Sequence, residues 1–217
     1  MPSKDSPHTS LLPTFVASLL VLFFGSGVFF YSTNQGQAVT TEALRQAELV
    51  DHPKRIPPLE IIDSSHPTAQ LLTEALSRDS RVKIVDFVYT RCQTVCVSLG
   101  SSFQNLQTLI LQMGLENKIA LVSISFDPEY DDAAALSRYQ QRLQMNPLVW
   151  QVYSLKHSKD RQQLLDTFGI MVIPAPLDEF EHNAAFHLVH RQHLYRIIEL
   201  DQALEAIDQA LAIGQIK

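Results

Sequence analysis

The stretch from Val82 to Leu99 reads VKIVDFVYTRCQTVCVSL and holds both cysteines of the chain, Cys92 and Cys96. Its first half, with Val82, Ile84, Val85, Phe87, Val88 and Tyr89, is rich in β-branched and aromatic residues and predicts a buried strand. The strand breaks at Thr90-Arg91 and runs directly into Cys92-x-x-x-Cys96, after which apolar residues recur at helical spacing. A buried strand that hands over to a helix with so short a connection points to an open α/β sheet, and such sheets build their sites at the carboxyl ends of strands.

Three chemistries are open to a dithiol at that junction: thiol–disulfide exchange, metal binding and a structural bridge. Unpaired N–H groups and the positive end of the helix dipole favour thiolate there, the form that attacks disulfides and binds metals. Side chains four apart in a regular helix have Cβ atoms about 5–6 Å apart. A disulfide needs about 3.5–4.5 Å, so the pair can close only if Cys92 precedes the regular helix. A structural bridge would gain little by closing so short a loop. Two soft thiolates suit copper(I), and an added imidazole makes a set that also tolerates copper(II). Structural zinc asks for four protein ligands, so two cysteines rank copper above zinc.

The order of elements after the central strand supports the α/β reading. Leu99, Phe103, Leu106, Ile110 and Met113 form one helical stripe, with Gly114 as its stop. Ile119–Phe126 is the next strand, ended by Asp127-Pro128. Asp131 or Asp132 caps a helix with stripe Leu136, Tyr139 and Leu143. Leu148–Tyr153 is a third core strand, and Ser158 is expected to cap a helix carrying Leu164, Leu165 and Phe168, stopped by Gly169. Pro174–Phe180, with two prolines, reads as an irregular excursion. Ala184–Val189 and Leu194–Ile198 read as a hairpin, and Asp201 as the cap of a last helix with Leu204, Ile207 and Leu211. Before the central strand, Leu59–Ile62 reads as a short strand and Pro67–Ser77 as a short helix with proline in its first turn. The expected architecture is a mixed sheet flanked by helices in the manner of thioredoxin.

Residues 11–31 contain no charged side chain, a length that matches the roughly 20 apolar residues needed to span a bilayer. The cleaved-signal alternative, with Gly36-Gln37-Ala38 as the cleavage site, is disfavoured because signal cores run to only about 7–15 residues. With no cysteine nearby, a lipid anchor is excluded. The expected division is a tail at 1–10, a transmembrane anchor at 11–31, a linker at 32–57 and a folded domain at 58–217. Lys4 gives the leading segment a slight positive bias, which puts the domain on the non-cytoplasmic side, where a disulfide can persist. The net charge of −6 lies wholly beyond residue 41 and argues against a nucleic-acid partner.

VDFVYTRCQTVC, then SISFDP with an aspartate at the next helix start, then Glu181-His182 ahead of an apolar strand, all behind a membrane anchor, resemble the Sco/SenC family of copper-binding cytochrome c oxidase assembly proteins over roughly residues 58–213. The resemblance implies a thioredoxin-like fold and a copper site made by Cys92, Cys96 and His182, with Asp127 near it. It implies delivery of copper(I) or copper(II) to the CuA-bearing subunit of cytochrome c oxidase or to another copper protein. The alternative is a thiol–disulfide oxidoreductase in which Cys92 and Cys96 are the redox-active pair and keep client cysteines reduced without metal. The sequence departs from the family where Gln93 and Val97 replace prolines, where Asn183 follows the histidine, and where the turn His190-Arg191-Gln192-His193 lacks glycine.

The other seven histidines read as surface or packing residues: His8, His52, His66 and His157 in polar segments, and His187, His190 and His193 around the hairpin. Alternation along a strand puts His187 and His190 on opposite faces. Met113, Met145 and Met171 are too far apart in sequence to suggest a thioether copper site. Tyr89 and Phe126 are expected to pack beside the dithiol.

Overall fold

The computed structural model describes residues 12–32, 49, 52–65, 68–91, 95–175 and 179–216, with the backbone alone for 95–98, 174–175, 179 and 181. The chain divides into two compact units, Met1–Glu48 and Leu49–Lys217. The first contains helix α1, Leu12–Ser32, whose 21 residues lie within one position of the expected anchor and are long and apolar enough to cross a membrane.

The second unit begins with strands β1 (Lys54–Arg55), β2 (Glu60–Asp63) and β3 (Gln70–Leu71) and helix α2 (Leu72–Ser77). The central βαβαβ run follows: β4 (Val82–Val88), α3 (Val95–Gln112), β5 (Ile119–Ser125), α4 (Ala133–Arg142) and β6 (Trp150–Leu155). A 3₁₀ turn at Ser158–Asp160 leads into α5 (Arg161–Phe168), then β7 (Val172–Ala175), β8 (Glu179–His182), β9 (Ala185–His190), β10 (His193–Glu199) and α6 (Ala203–Ile213). The main sheet has the order β1-β10-β9-β4-β5-β6-β2-β3. The β4, β5 and β6 strands are parallel, and β9 joins β4 antiparallel. β7 and β8 form a separate two-stranded ribbon.

Helices cover both faces. On one, Ile84, Leu121, Trp150 and Leu188 pack under Phe103, Leu106 and Ile110 of α3 and Ile207 and Ile213 of α6. On the other, Val85, Phe87, Val122 and Ile124 pack against Leu72 and Leu76 of α2, Leu136 and Tyr139 of α4 and Leu164 and Phe168 of α5. Fully buried strands such as β4 and β5 read as continuous apolar runs for this reason. Gly114 and Gly169 stop α3 and α5 at φ 65° and 66°, left-handed values that cost glycine nothing. Asp132 is the cap of α4, accepting from the Ala135 N–H at 2.8 Å.

Several local expectations are corrected. Within the Pro174–Phe180 stretch expected to be irregular, Pro174–Ala175 and Glu179–Phe180 belong to strands: β7 and β8 pair in register, with Val172 opposite His182 and Pro174 opposite Phe180, while residues 176–178 lie outside the described residues. The third core strand starts at Trp150, because Leu148 sits in an exposed turn held by Asn146. Ser158 donates to Glu129 instead of capping a helix, and Gln202, with no side-chain cap, occupies the position expected of Asp201. Leu72, not Pro67, opens the short helix, since Gln70 and Leu71 pair with β2. In α6 the buried stripe is Ala206, Ile207, Ala210 and Ile213, while Leu204 is exposed, so the inward face is turned from the one its largest side chains suggested. At the β9–β10 turn, Arg191 itself takes φ 56° where glycine was missed.

Candidate functional site

The residues leading to Cys92 are fastened one after another, each to a different element. Tyr89 is wholly buried, and its hydroxyl donates to the Phe180 carbonyl at 2.9 Å while accepting from the Phe180 N–H at 3.1 Å. Thr90 gives its N–H and its hydroxyl to the two carboxylate oxygens of Asp131, and its carbonyl accepts from Arg142 at 3.0 Å. Arg91 binds Asp127 at 3.1 Å and stacks on Tyr130, its guanidinium carbon 3.7 Å from the ring centroid. The chain therefore arrives at Cys92 along a fixed course. Cys92 itself lies outside the described residues, and the backbone places Cys96 in the first turn of α3.

Asp131 is completely buried and also accepts from the Ser125 hydroxyl, which in turn takes the Asp127 N–H at 3.1 Å. One carboxylate thus ties the end of β4 to the end of β5. Asp131→Ala strips three donors of their acceptor. The expected cost is about 2 kcal/mol of unfolding free energy, measured by denaturant titration, together with faster alkylation of the thiols. Unchanged stability and unchanged thiol reactivity would refute this role.

Asp127 is equally buried and bridges Arg91 to Arg161, whose guanidinium reaches it at 3.3 Å and the Phe126 carbonyl at 2.7 Å. Burial raises its carboxyl above the ordinary range, against the pull of Arg91 and Arg161. The expected neighbour of the site is thus a buried brace that clamps Arg91, the residue before Cys92.

His182 ends β8 and is buried. Its ring stands edge-on to Phe126 at 5.4 Å and lies 6.4 Å from Tyr89, which puts it at the carboxyl ends of β4 and β5. Nδ1 donates to the Asn183 carbonyl at 3.0 Å. That bond selects the tautomer in which Nε2 carries the lone pair, the form a metal accepts. Asn183, the residue that departs from the family pattern, holds the base of the ribbon: its side chain accepts from Met171 N–H at 2.7 Å and donates to the Gly169 carbonyl at 3.2 Å.

The remaining described histidines stand apart from this constellation. His187 is buried between Phe87 and Phe168, His190 is buried on the opposite face, and His157 is half-exposed beside Glu60. Burial lowers the pKa of His190, which favours its neutral form. Among the described residues, no three His, Cys, Asp or Glu side chains converge to hold a metal by themselves.

Sequence reading missed the parts played by Asp131, Arg91, Arg161 and Asp86. Asp131 was visible only as a possible helix cap. Asp86 had a plainer signal, an acid in the middle of a strand whose other residues, Lys83 apart, are apolar. It is fully buried, faces Ser123 across the β4–β5 ladder, and neither carboxylate oxygen meets a hydrogen-bond donor at proper geometry among the described residues. Burial pushes its carboxyl up to about 8, and the nearby Ser123 hydroxyl only partly offsets this.

Comparison with known proteins bears on the family and the fold. Residues 68–212 match the SCO1/SenC family. The chain is 24% identical over 115 residues to the SCO1 protein homolog of Bacillus subtilis, a match covering 52% of this chain and 58% of that protein. The chain thus spans less than two thirds of that relative. The fold is similar to BsSco, described as a member of the Sco family of cytochrome c oxidase assembly proteins with a disulfide switch (TM-score 0.65, 18% identity, 76% of this chain and 96% of that one). It is also similar to Bradyrhizobium japonicum ScoI with copper bound (TM-score 0.57, 19% identity, 72% and 97%). The fold is thioredoxin-like, as the element order implied.

Proposed function

The chain belongs to the SCO1/SenC family, and from that premise we propose that it is a membrane-anchored copper metallochaperone. Copper is its cargo. Cys92 and Cys96 bind it as thiolates and His182 supplies a third, nitrogen donor through Nε2. The client is the CuA-bearing subunit of cytochrome c oxidase or another copper protein. Helix α1 anchors the chain in the cytoplasmic membrane, with residues 58–217 on the periplasmic or equivalent side.

The observation that carries this reading is His182. It is buried, its tautomer is set by Asn183, and it lies at the strand ends from which the chain enters the dithiol. Two thiolates and one imidazole suit both oxidation states of copper. The copper-bound ScoI structure supports the choice of metal. Because the thiols must be deprotonated and reduced to bind, copper uptake releases protons, and oxidation of the pair expels the metal.

Mechanistically, the chain's own contribution is positional. Asp131 and Asp127 fix Thr90 and Arg91, the two residues that precede Cys92. The positive end of α3 favours the thiolates. The aromatic wall of Tyr89, Phe126 and Phe180 keeps water from the imidazole side of the site.

The second reading, a thiol–disulfide oxidoreductase, uses the same cysteines without His182; the disulfide switch described for BsSco favours keeping it in the test. Full-length protein in detergent is reduced and titrated with copper(I) and copper(II), beside His182→Ala. The metallochaperone reading expects His182→Ala to weaken copper(II) binding at least about 100-fold while client-disulfide reduction is unchanged. Copper(II) affinity unaltered by the substitution would leave the reductase.

A further inference from the structure

His182 is carried by a ribbon that belongs to neither edge of the main sheet. β7 and β8 pair only with each other among the described residues, so no backbone ladder fixes the ribbon to the strands that lead to the dithiol. At the centre of β8, Phe180 lies opposite Pro174, which has no N–H to donate. Both backbone polar groups of Phe180 are instead taken by one side-chain atom, the Tyr89 hydroxyl, which accepts from the N–H and donates to the carbonyl. Tyr89 thus does for β8 what a neighbouring strand would do. It stands immediately beyond β4, three residues before Cys92, and its ring touches Phe180, Phe126 and His182.

We propose that the Tyr89 hydroxyl is a latch that fixes the His182 ribbon to the strand entering the dithiol, and so determines histidine-dependent copper(II) binding independently of thiol chemistry. The latch rests on the reading of His182 as a ligand. Its physical basis is that a ligand on a ribbon that no ladder among the described residues joins to the main sheet depends on its side-chain fastenings, and a shift of about 1 Å at such a donor is enough to spoil coordination. Copper(I) held by two thiolates has no need of the ribbon, and neither has disulfide exchange. Tyr89 is a positioning residue: it touches the imidazole's neighbours and acts on the metal through His182.

Tyr89→Phe removes one oxygen and leaves the ring packing in place. In the metal-free full-length chain, amide exchange at Phe180 is expected to accelerate at least about tenfold, with exchange in β4 and β5 unchanged. Copper(II) affinity is expected to fall about 10–100-fold, the range for loss of a group that orients a ligand, with a shifted sulfur-to-copper charge-transfer band. Copper(I) affinity and the dithiol reduction potential should stay at their wild-type values. Unaltered Phe180 exchange overturns the latch. So does faster exchange with unaltered copper(II) binding, provided His182→Ala loses it. If His182→Ala itself binds copper(II) normally, the metallochaperone reading falls and the coupling to copper falls with it, while the exchange data still decide whether Tyr89 holds the ribbon.

Discussion

Replacing both cysteines, Cys92→Ser with Cys96→Ser, is expected to abolish copper binding. Reduced wild-type protein should take up one copper per chain and show a sulfur-to-copper charge-transfer band in the copper(II) form. The double variant should take up none and show no band. Removing both soft anionic donors leaves His182, and one imidazole competes poorly with buffer and chelator for copper(I). Oxidised wild type should behave like the double variant until a reductant is added, because a disulfide presents no thiolate. Isothermal titration against a copper(I) chelator, with chain concentration measured independently, is the check. Full occupancy in the double variant would refute the assignment of both cysteines, whatever His182 does. The fold should be indifferent to the change, since buried Phe103, Leu106 and Ile110 hold α3 to the sheet.

The second large effect concerns Asp86, and it runs towards greater stability. Its carboxyl lies in the apolar layer beneath α3, and burial pushes its pKa up to about 8. The native state therefore holds a proton that the unfolded chain releases near pH 4. Between those values the folded form binds more protons, so stability falls as pH rises, by about 1.4 kcal/mol per unit at most, and levels off above pH 8. The contribution is fully present below pH 4 and lost by pH 8. Asp86→Asn keeps the shape and cannot ionise. It is expected to match wild type near pH 4 and to exceed it by on the order of 5 kcal/mol at pH 8. Urea unfolding of both proteins at pH 4.5, 6 and 8 tests this. Parallel pH profiles would show that the carboxyl finds a compensating donor.

The order of strands and helices was legible because each element carried its own chemistry. β4 and β5 are apolar runs, α3 has a stripe at three- and four-residue spacing, Asp132 caps, and Gly114 and Gly169 stop helices in a conformation that glycine adopts freely. The ribbon of β7 and β8 was not legible, since Pro174 argues against a strand and is tolerated only because its partner Phe180 turns both backbone polar groups to Tyr89 and asks none of the proline. The inward face of α6 was misjudged for a related reason: its small residues, Ala206 and Ala210, permit close packing on the sheet, whereas size had suggested Leu204. The fastening of Thr90 by Asp131 spans 41 residues, and that of Phe180 by Tyr89 spans 91; no local pattern announces either.

By itself, then, the sequence determined an apolar helix long enough to cross a membrane, the parallel core and the family, and through that resemblance it pointed to a dithiol and a distant histidine as the proposed site. These follow from hydrophobic periodicity, turn chemistry and short motifs, all read within a few residues. Only the tertiary structure decided how the approach to Cys92 is held, which carboxylates are buried, and what fastens the His182 ribbon. Those depend on which side chains meet after the sheet has closed, and a buried hydrogen bond is specified by that meeting in space, whatever the spacing along the chain.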